Sequence, residues 1–323
     1  MQLICQRNQV TELTFTAAVD YADPYNEVEV DVVFEGPDGA SLRVPAFWAG
    51  DGLFKVRFAA PATGEWRFRS EATNHDDPGL NGISGSLLAQ PYQGKNRLLS
   101  RGRLRVAEDK RHFQHADGTP FFWVGDTWWM GFTTRLAWPQ GFRELAADRV
   151  RKGFNVIQII AGPYPDMDAW DPRARNEAGF AFDTDFPRVN PAYYDHADLK
   201  LAHLVEAGLM PCIVGMWGYY LPQIGVDRIK RFWRYLVARY GAYPVTWCIC
   251  GEGIMPYYLS GTRDADVAAQ KAGWTEVMRH VRQVDPWHNL ITIHPPSAPT
   301  VFGRDQVEEP ELMDFEIDRK SVV

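Results

Sequence analysis

The chain has 323 residues, 46% of them hydrophobic and 13% aromatic, enough to bury a large core, which excludes a disordered chain and a small disulfide scaffold. Thirty-four Lys and Arg stand against 41 Asp and Glu, a formal net charge of −7, and no basic run is long enough to follow a phosphate backbone, which excludes a nucleic-acid partner. Apolar runs such as 157–161 and 212–216 are short and broken by Gly, Gln or Pro, far from the roughly 18 residues a membrane span needs.

The four cysteines, Cys5, Cys212, Cys248 and Cys250, lack the spacing of a zinc knuckle or a redox pair. Met1 opens directly into a polar, strand-like segment, without the charged and then apolar regions of a signal peptide. The expected location is cytoplasmic, or secreted or periplasmic if the N-terminus is incomplete.

Residues 1–95 read as short alternating runs at 28–34, 41–48, 53–58 and 66–70, parted by turns at Gly36-Pro37-Asp38-Gly39, at Gly50-Asp51-Gly52 and at 61–64. Strands at this spacing predict an all-β sandwich domain, immunoglobulin-like or jelly-roll-like. Residues 74–85 are too rich in Gly, Asn and Asp for an element and read as an exposed loop, with a linker at 91–96. Residues 96–120 then hold the linker and a hairpin, its strands at 104–106 and 113–115 and a turn at Asp117-Gly118.

After residue 121 the period changes. Apolar strands at 121–128, 155–161, 210–217, 245–250, 290–294 and 312–317 alternate with helical patterns at 140–152, 192–207, 226–240 and 264–283. Helices that follow strands predict a parallel sheet covered on both faces, in an order that suits a (β/α)8 TIM barrel. No G-x-G-x-x-G follows any strand, which weakens a dinucleotide fold. Six strands over 121–317 make an incomplete barrel, two units short. The final six residues, 318–323, reverse-translate to a string resembling a sequencing-adaptor read-through. Natural sequence is therefore expected to end near Ile317, the alternative being an ordinary polar tail.

In such barrels chemistry sits where strands end at their carboxyl side. Strand parity groups Phe122, Val124 and Asp126; Cys248, Cys250 and Glu252; Leu290, Thr292 and His294; and Leu312, Asp314 and Glu316. If these faces are interior, Asp126, Glu252, His294 and Glu316 converge on one mouth. Glu252 is the sharpest candidate, a carboxylate between Gly251 and Gly253 flanked by Trp247, Tyr257 and Tyr258. An aromatic wall disfavours a carboxylate's charge and lets it hold a proton as a general acid must; the alternative is a surface glutamate in a glycine-rich turn.

Asp126, beside Trp128 and Trp129, suits a sugar ring, whose hydroxyls want carboxylate acceptors and whose C–H face wants an aromatic plane; it equally suits a helix cap. His294 is read as a hydroxyl ligand or as a structural histidine, and Gln158 and Trp217 as lining residues. The long loop 162–190 carries Tyr164, Asp166, Trp170 and Phe182 as an expected substrate-binding lip. No metal or other cofactor is expected. His112 and His115 lie on the hairpin, His288 and His294 lack a partnered acidic cluster, and serine-nucleophile motifs are absent.

With these residues in hand, the chain resembles the apiosidase-like glycoside hydrolases, in which a β-sandwich precedes a (β/α)8 catalytic domain. The resemblance is carried by Asp117-Gly118-Thr119-Pro120-Phe121-Phe122 leading into Gly125-Asp126-Thr127-Trp128, by Lys152-Gly153-Phe154-Asn155-Val156-Ile157-Gln158, and by the strand ending at Glu252. Val44-Pro45-Ala46-Phe47-Trp48 and Val56-Arg57-Phe58 look like the family's accessory domain.

The resemblance implies a glycosidase acting on polysaccharide side chains. The family's fourth strand ends in Gly-Gly-Asp, whose acid is taken as the general acid/base, and the matching positions are Cys250, Gly251 and Glu252. The family's second carboxylate lies on a seventh strand, beyond the end of this chain, so the chain as it stands is expected to be inactive. The competing reading is a non-catalytic carbohydrate-binding protein, in which Glu252 only accepts hydroxyl hydrogen bonds. The expected partner in either case is a carbohydrate, with substrate-binding positions at Asp126, Trp128, Gln158, Tyr164, Trp217, His294 and Glu316.

Overall fold

The computed structural model describes residues 3–255, 261–296 and 301–317. Tyr257, Tyr258 and the tail at 318–323 lie outside the described residues. The chain divides into two units: Met1–Arg103 with Arg234–Pro244 and Gln283–His288, and Leu104–Trp233 with Val245–Arg282 and Asn289–Val323.

The first unit contains eight strands, β1 (Leu3–Gln6), β2 (Thr11–Thr16), β3 (Val30–Glu35), β4 (Ser41–Pro45), β5 (Phe47–Trp48), β6 (Leu53–Phe58), β7 (Gly64–Ala72) and β8 (Ser84–Gln90), and two one-turn helices, α1 (Pro24–Glu27) and α2 (Arg97–Ser100). They form a five-stranded sheet in the order β1-β8-β7-β3-β4 and a three-stranded sheet in the order β2-β6-β5. Alternation builds the core between them. Val30, Val32 and Phe34 point inward from β3, and Phe34 stacks on Phe58 of β6 with centroids 3.9 Å apart.

Residues 74–85 differ from the expected exposed loop. Their centre is fixed by buried Asp77, whose carboxylate accepts from the Ala18 amide (2.9 Å), the Gly79 amide (2.8 Å) and the Tyr21 hydroxyl (2.9 Å). The chain then enters β8, which pairs parallel with β1. The small residues of Ser84-Gly85-Ser86 hide this strand from a hydrophobic-period reading, and at Gly85 a Cβ would lie 2.6 Å from the Phe68 ring, which folds over it.

The second unit opens with a three-stranded antiparallel sheet of β9 (Leu104–Val106), β10 (Phe113–His115) and β11 (Pro120–Phe121). Five parallel strands follow in sequential order: β12 (Gly125–Trp128), β13 (Val156–Ile160), β14 (Met210–Trp217), β15 (Thr246–Gly251) and β16 (Ile291–His294). The helices are α3 (Gln140–Arg151), α4 (Pro191–Glu206), the short α5 (Leu221–Ile224), α6 (Val226–Tyr240), whose residues from Arg234 on are counted with the first unit, and α7 (Arg263–Val284), whose last two residues are likewise. Every residue of β13, β14 and β15 is buried, as a parallel sheet covered on both faces requires.

Two expected strands change. The run at 121–128 is split: Pro120–Phe121 joins the antiparallel sheet and only Gly125–Trp128 joins the parallel one, leaving Phe122 83% exposed. The sixth strand at 312–317 does not form. Pro310 opens a single 3-10 turn, Pro310–Leu312, and the Asp314 carboxylate takes the Ile291 amide at 2.7 Å while the Asp314 amide donates to the Ile291 carbonyl at 2.9 Å. A side chain thus occupies the donor that a ladder would use. The parallel sheet therefore has five strands, and the described residues contain no closed barrel. Among them, no helix is long and apolar enough to cross a membrane.

Candidate functional site

Neighbours in register on a parallel sheet share a face, so the ladder sorts the side chains. One face carries Thr127, Gln158, Cys212 and Thr246, and then Ile160, Val214, Cys248 and Thr292. The other carries Asp126, Ile157 and Pro211, and then Trp128, Ile159, Ile213, Trp247 and Ile291. This second face meets helices: Trp128 packs edge-on against Phe142 of α3 at 5.3 Å, and Trp247 against Trp233 of α6 at 5.6 Å.

Asp126 and Trp128 are therefore placed on the helix side, away from Glu252. The Asp126 carboxylate accepts from the Trp128 indole (2.8 Å), the Thr127 amide (2.8 Å) and the Arg149 guanidinium of α3. Burial pushes its pKa up, but the hydrogen bonds from Trp128, Arg149 and Thr127 outweigh burial and hold it below the usual carboxylate range. The expected convergence on one mouth fails for this residue, because β12 turns the Asp126 face toward α3, where Arg149 and Trp128 hold its carboxylate.

Glu252 follows directly on β15 and is 8% exposed. Its φ is +52°, a left-handed conformation that costs a non-glycine residue about 1–2 kcal/mol and persists only where the surroundings impose it. They do so from three sides. The Glu252 amide donates to the His294 carbonyl at 3.0 Å, and the Met255 amide donates to the Glu252 carbonyl at 3.2 Å. Gly218, just past β14, lies so close that a Cβ there would sit 2.3 Å from the Glu252 carbonyl oxygen.

The next position back, Gly251, is equally constrained, since its Cβ would fall 2.2 Å from the Trp217 ring. That ring belongs to a triangle: Trp217 and Trp129 are 5.5 Å apart, Trp217 and His294 5.5 Å, Trp129 and His294 5.2 Å. Trp217 and His294 are each 5% exposed and Gln158 is 9% exposed. Trp129 is one of the two indoles the sequence places beside Asp126, but of the pair only Trp128 is expected there as a substrate-binding position. The signal was present in the Trp128-Trp129 pair, whose members must leave the chain on opposite faces.

The thiols beneath are inert. Burial pushes Cys212 up to about 11 and holds Cys248 and Cys250 well above the ordinary value, so none supplies a thiolate near neutral pH. Gln158 donates to the Cys212 sulfur at 3.9 Å.

Tyr164 is 1% exposed, with its hydroxyl bonded to that of Tyr193, and burial raises its pKa. It is a core residue of the loop and not part of a lip. Its carbonyl accepts from the hydroxyls of Tyr219 (3.2 Å) and Tyr220 (3.3 Å). The loop at 162–190 is folded on itself, with bridges Asn176–Gly179 and Phe182–Val189, and Trp170 packs on Phe186 at 5.0 Å. Beside it opens a cleft of about 360 Å³ whose lining includes Asp166, Asp168, Tyr219, Gln223 and Met255, all from segments that follow the carboxyl ends of β13, β14 and β15.

Glu316 does not face this cleft. It clamps the 3-10 turn Gly303–Gln306, accepting from the Gly303 amide (2.8 Å), the Arg304 amide (3.0 Å) and the Arg304 guanidinium (2.9 Å). Asp314 is paired with Arg282 at 2.5 Å. The described residues hold no group of three His, Cys, Asp or Glu side chains arranged for a metal ion. What the carboxyl edge offers is one buried carboxylate on a strained backbone, two indoles, an imidazole and a carboxamide. That set suits a polyhydroxylated ring and a proton transfer.

Comparison with known proteins points the same way. Residues 107–319, more than half of the chain, match the model of the apiosidase-like catalytic domain, and residues 5–73 match a domain of unknown function, DUF5060. Among solved structures, a candidate glycoside hydrolase from Bacteroides vulgatus ATCC 8482 superposes with a TM-score of 0.69 at 19% identity, covering 91% of this chain and 56% of its own. A glycoside hydrolase family 5 protein from the same strain gives 0.50 at 20% identity, covering 70% of this chain and 46% of its own. The chain thus spans about half the length of these structures, and at such identities the likeness is one of fold. No curated protein matches.

Proposed function

The chain belongs to the Apiosidase-like family, and from that premise we propose that it is the core of a glycoside hydrolase in which Glu252 is the general acid/base. In this reading the five-stranded parallel sheet is part of a (β/α)8 barrel, and its carboxyl edge is the face at which such barrels do chemistry. The observation that carries the proposal is Glu252 itself: a buried carboxylate at a strand end, held with φ +52° beside His294 and Trp217. Glu252 protonates the leaving glycosidic oxygen as the C–O bond breaks, and the anomeric carbon bonds to the family's second carboxylate, whose ester a water then cleaves, or directly to a water that this carboxylate deprotonates.

Trp217 and Trp129 offer apolar planes to a sugar C–H face, while Gln158 and His294 meet hydroxyls. The substrate is a sugar carried on a polysaccharide side chain. Glu252 stands where the family's motif has Asp, one methylene longer, so apiose is one candidate among pentose and hexose branches.

The test is reducing-sugar release from plant and bacterial polysaccharides by a protein that carries the family's seventh-strand carboxylate together with this chain, alongside calorimetric binding of the released sugars. Glu252→Gln should lower turnover about 100-fold or more, the range of a positioned proton transfer, and leave binding intact. Sugar binding without release by either protein would favour a non-catalytic carbohydrate-binding role, and equal release by both would remove Glu252 from the mechanism.

A further inference from the structure

Gln306 is completely buried although it carries a carboxamide, and both ends of that carboxamide are used on the backbone around Glu252. Its Oε1 accepts from the Gly253 amide at 2.6 Å, and its Nε2 donates to the His294 carbonyl at 3.3 Å. The same His294 carbonyl accepts the Glu252 amide at 3.0 Å. The two peptide groups on either side of the Glu252 side chain are therefore tied together through one glutamine. No other amino acid has a donor and an acceptor at that reach; Asn is one methylene shorter and Glu has no permanent donor.

The turn that presents Gln306 is itself clamped by Glu316, through the Gly303 and Arg304 amides and the Arg304 guanidinium. On the other side, fully buried Gln270 of α7 donates to the carbonyl of Met255, three residues after Glu252, at 3.0 Å.

We propose that Gln306 is the positioning residue of Glu252, acting through the Gly253 amide and the His294 carbonyl, and that Glu316 fixes the turn that delivers it. The proposal rests on the reading of Glu252 as general acid/base. It assigns Glu316 an indirect part in catalysis: Glu316 holds the Gly303 amide, the turn carries that restraint to Gln306, and Gln306 bonds the Gly253 amide and the His294 carbonyl that flank Glu252. A left-handed residue relaxes readily when its flanking amides are released, and a carboxylate displaced by an ångström loses proton-transfer geometry with little change in what binds.

The experiment has two arms, both on a protein that carries the family's seventh-strand carboxylate together with this chain. Amide hydrogen exchange is measured at residues 252 and 253, and kcat and KM are measured on a released-sugar substrate, for wild type, Glu252→Gln, Gln306→Met and Gln306→Glu. Gln306→Met keeps the volume and removes both bonds; it should speed exchange at Gly253 and lower kcat by about 10- to 100-fold at near-constant KM. Gln306→Glu keeps the Gly253 bond and can donate to the His294 carbonyl only when protonated. Its kcat should approach wild type at acid pH and fall as the introduced carboxyl ionises, a pH signature that loss of packing alone does not give.

Unchanged exchange at Gly253 in Gln306→Met overturns the positioning contact. Faster exchange with unchanged kcat, while Glu252→Gln is inactive, overturns its link to catalysis. Wild-type turnover in Glu252→Gln, or no sugar release by any of the four proteins, removes the underlying reading of Glu252 and the positioning role with it, whatever the exchange shows.

Discussion

Replacing Gly218 by Ala presses directly on the backbone of Glu252 and Gly253. The added Cβ would stand 2.3 Å from the Glu252 carbonyl oxygen, 2.7 Å from the Gly253 Cα and 2.8 Å from the Glu252 carbonyl carbon. All three are main-chain atoms, so no rotamer change relieves the clash, and ordinary contact requires a shift of about 1 Å. Gly218 has no positive φ, so the penalty comes from overpacking alone, about 1–3 kcal/mol. At roughly 2–4 °C per kcal/mol for a unit of this size, the unfolding midpoint should fall by several degrees. A displacement of this size at a catalytic carboxylate should cost about 100-fold in turnover.

Thermal unfolding followed by tryptophan fluorescence, with sugar release on the same preparations, measures both. Gly141→Ala is the control: its nearest neighbours are 4.0 Å away and it lies in the first turn of α3, so it should be neutral or gain up to about 1 kcal/mol. A Gly218→Ala protein with the melting midpoint and turnover of wild type would refute the claim that Glu252 is held by close backbone packing.

Lys200 of α4, fully buried, donates to the carbonyls of Gly131 (2.9 Å), Thr133 (2.9 Å) and Leu136 (2.8 Å), so Lys200→Met should destabilise the loop after β12, by about 3 kcal/mol in urea unfolding near pH 7. Burial pushes the Lys200 pKa down to about 8 from 10.5; the unfolded chain then binds more protons between these values, and this group's contribution to stability should rise with pH from about 8 to 10.5. Comparing the pH dependence of unfolding in wild type and Lys200→Met checks the sign, and a contribution that falls over that window contradicts it. Asp126→Asn should cost about 1–3 kcal/mol by weakening the Arg149 pair, yet leave sugar affinity unchanged in titration calorimetry, because Asp126 faces α3; a loss of affinity would restore it to the mouth. Trp129→Ala should weaken sugar binding about 10-fold or more through loss of an aromatic plane, and unchanged binding would exclude the ring triangle from the site.

The parts of the fold that could be read from sequence are those with unambiguous periodicity. The strands β13, β14 and β15 are continuous apolar runs ending in Gly, Trp or Gly-Glu, and their helices have long amphipathic repeats, so the parallel series and Glu252 at its edge were both visible. What failed did so where a single residue of offset decides the outcome. A four-residue strand at Gly125–Trp128 is too short for its own pattern to fix its face, and a slip of one residue moved Asp126 from helix side to mouth. Glu316 has the parity of a strand residue, but Pro310 and the carboxylate of Asp314 replace the strand with a turn and a cap. Gln306 carries no motif at all. Its importance lies in the two backbone groups it joins, 53 and 12 residues away along the chain, and that kind of juxtaposition leaves no local trace.

The central claim, that Glu252 transfers a proton to the leaving oxygen, is tested most directly by the leaving-group dependence of Glu252→Gln. Turnover is measured for wild type and variant on a series of aryl glycosides of one sugar, from poor leaving groups such as phenol or methylphenol to a dinitrophenol that departs without protonation. General acid catalysis predicts a loss of about 100-fold or more on the poor leaving groups, shrinking markedly on the dinitrophenyl glycoside. A loss of the same size across the whole series, or no loss on the phenyl glycoside, would contradict it.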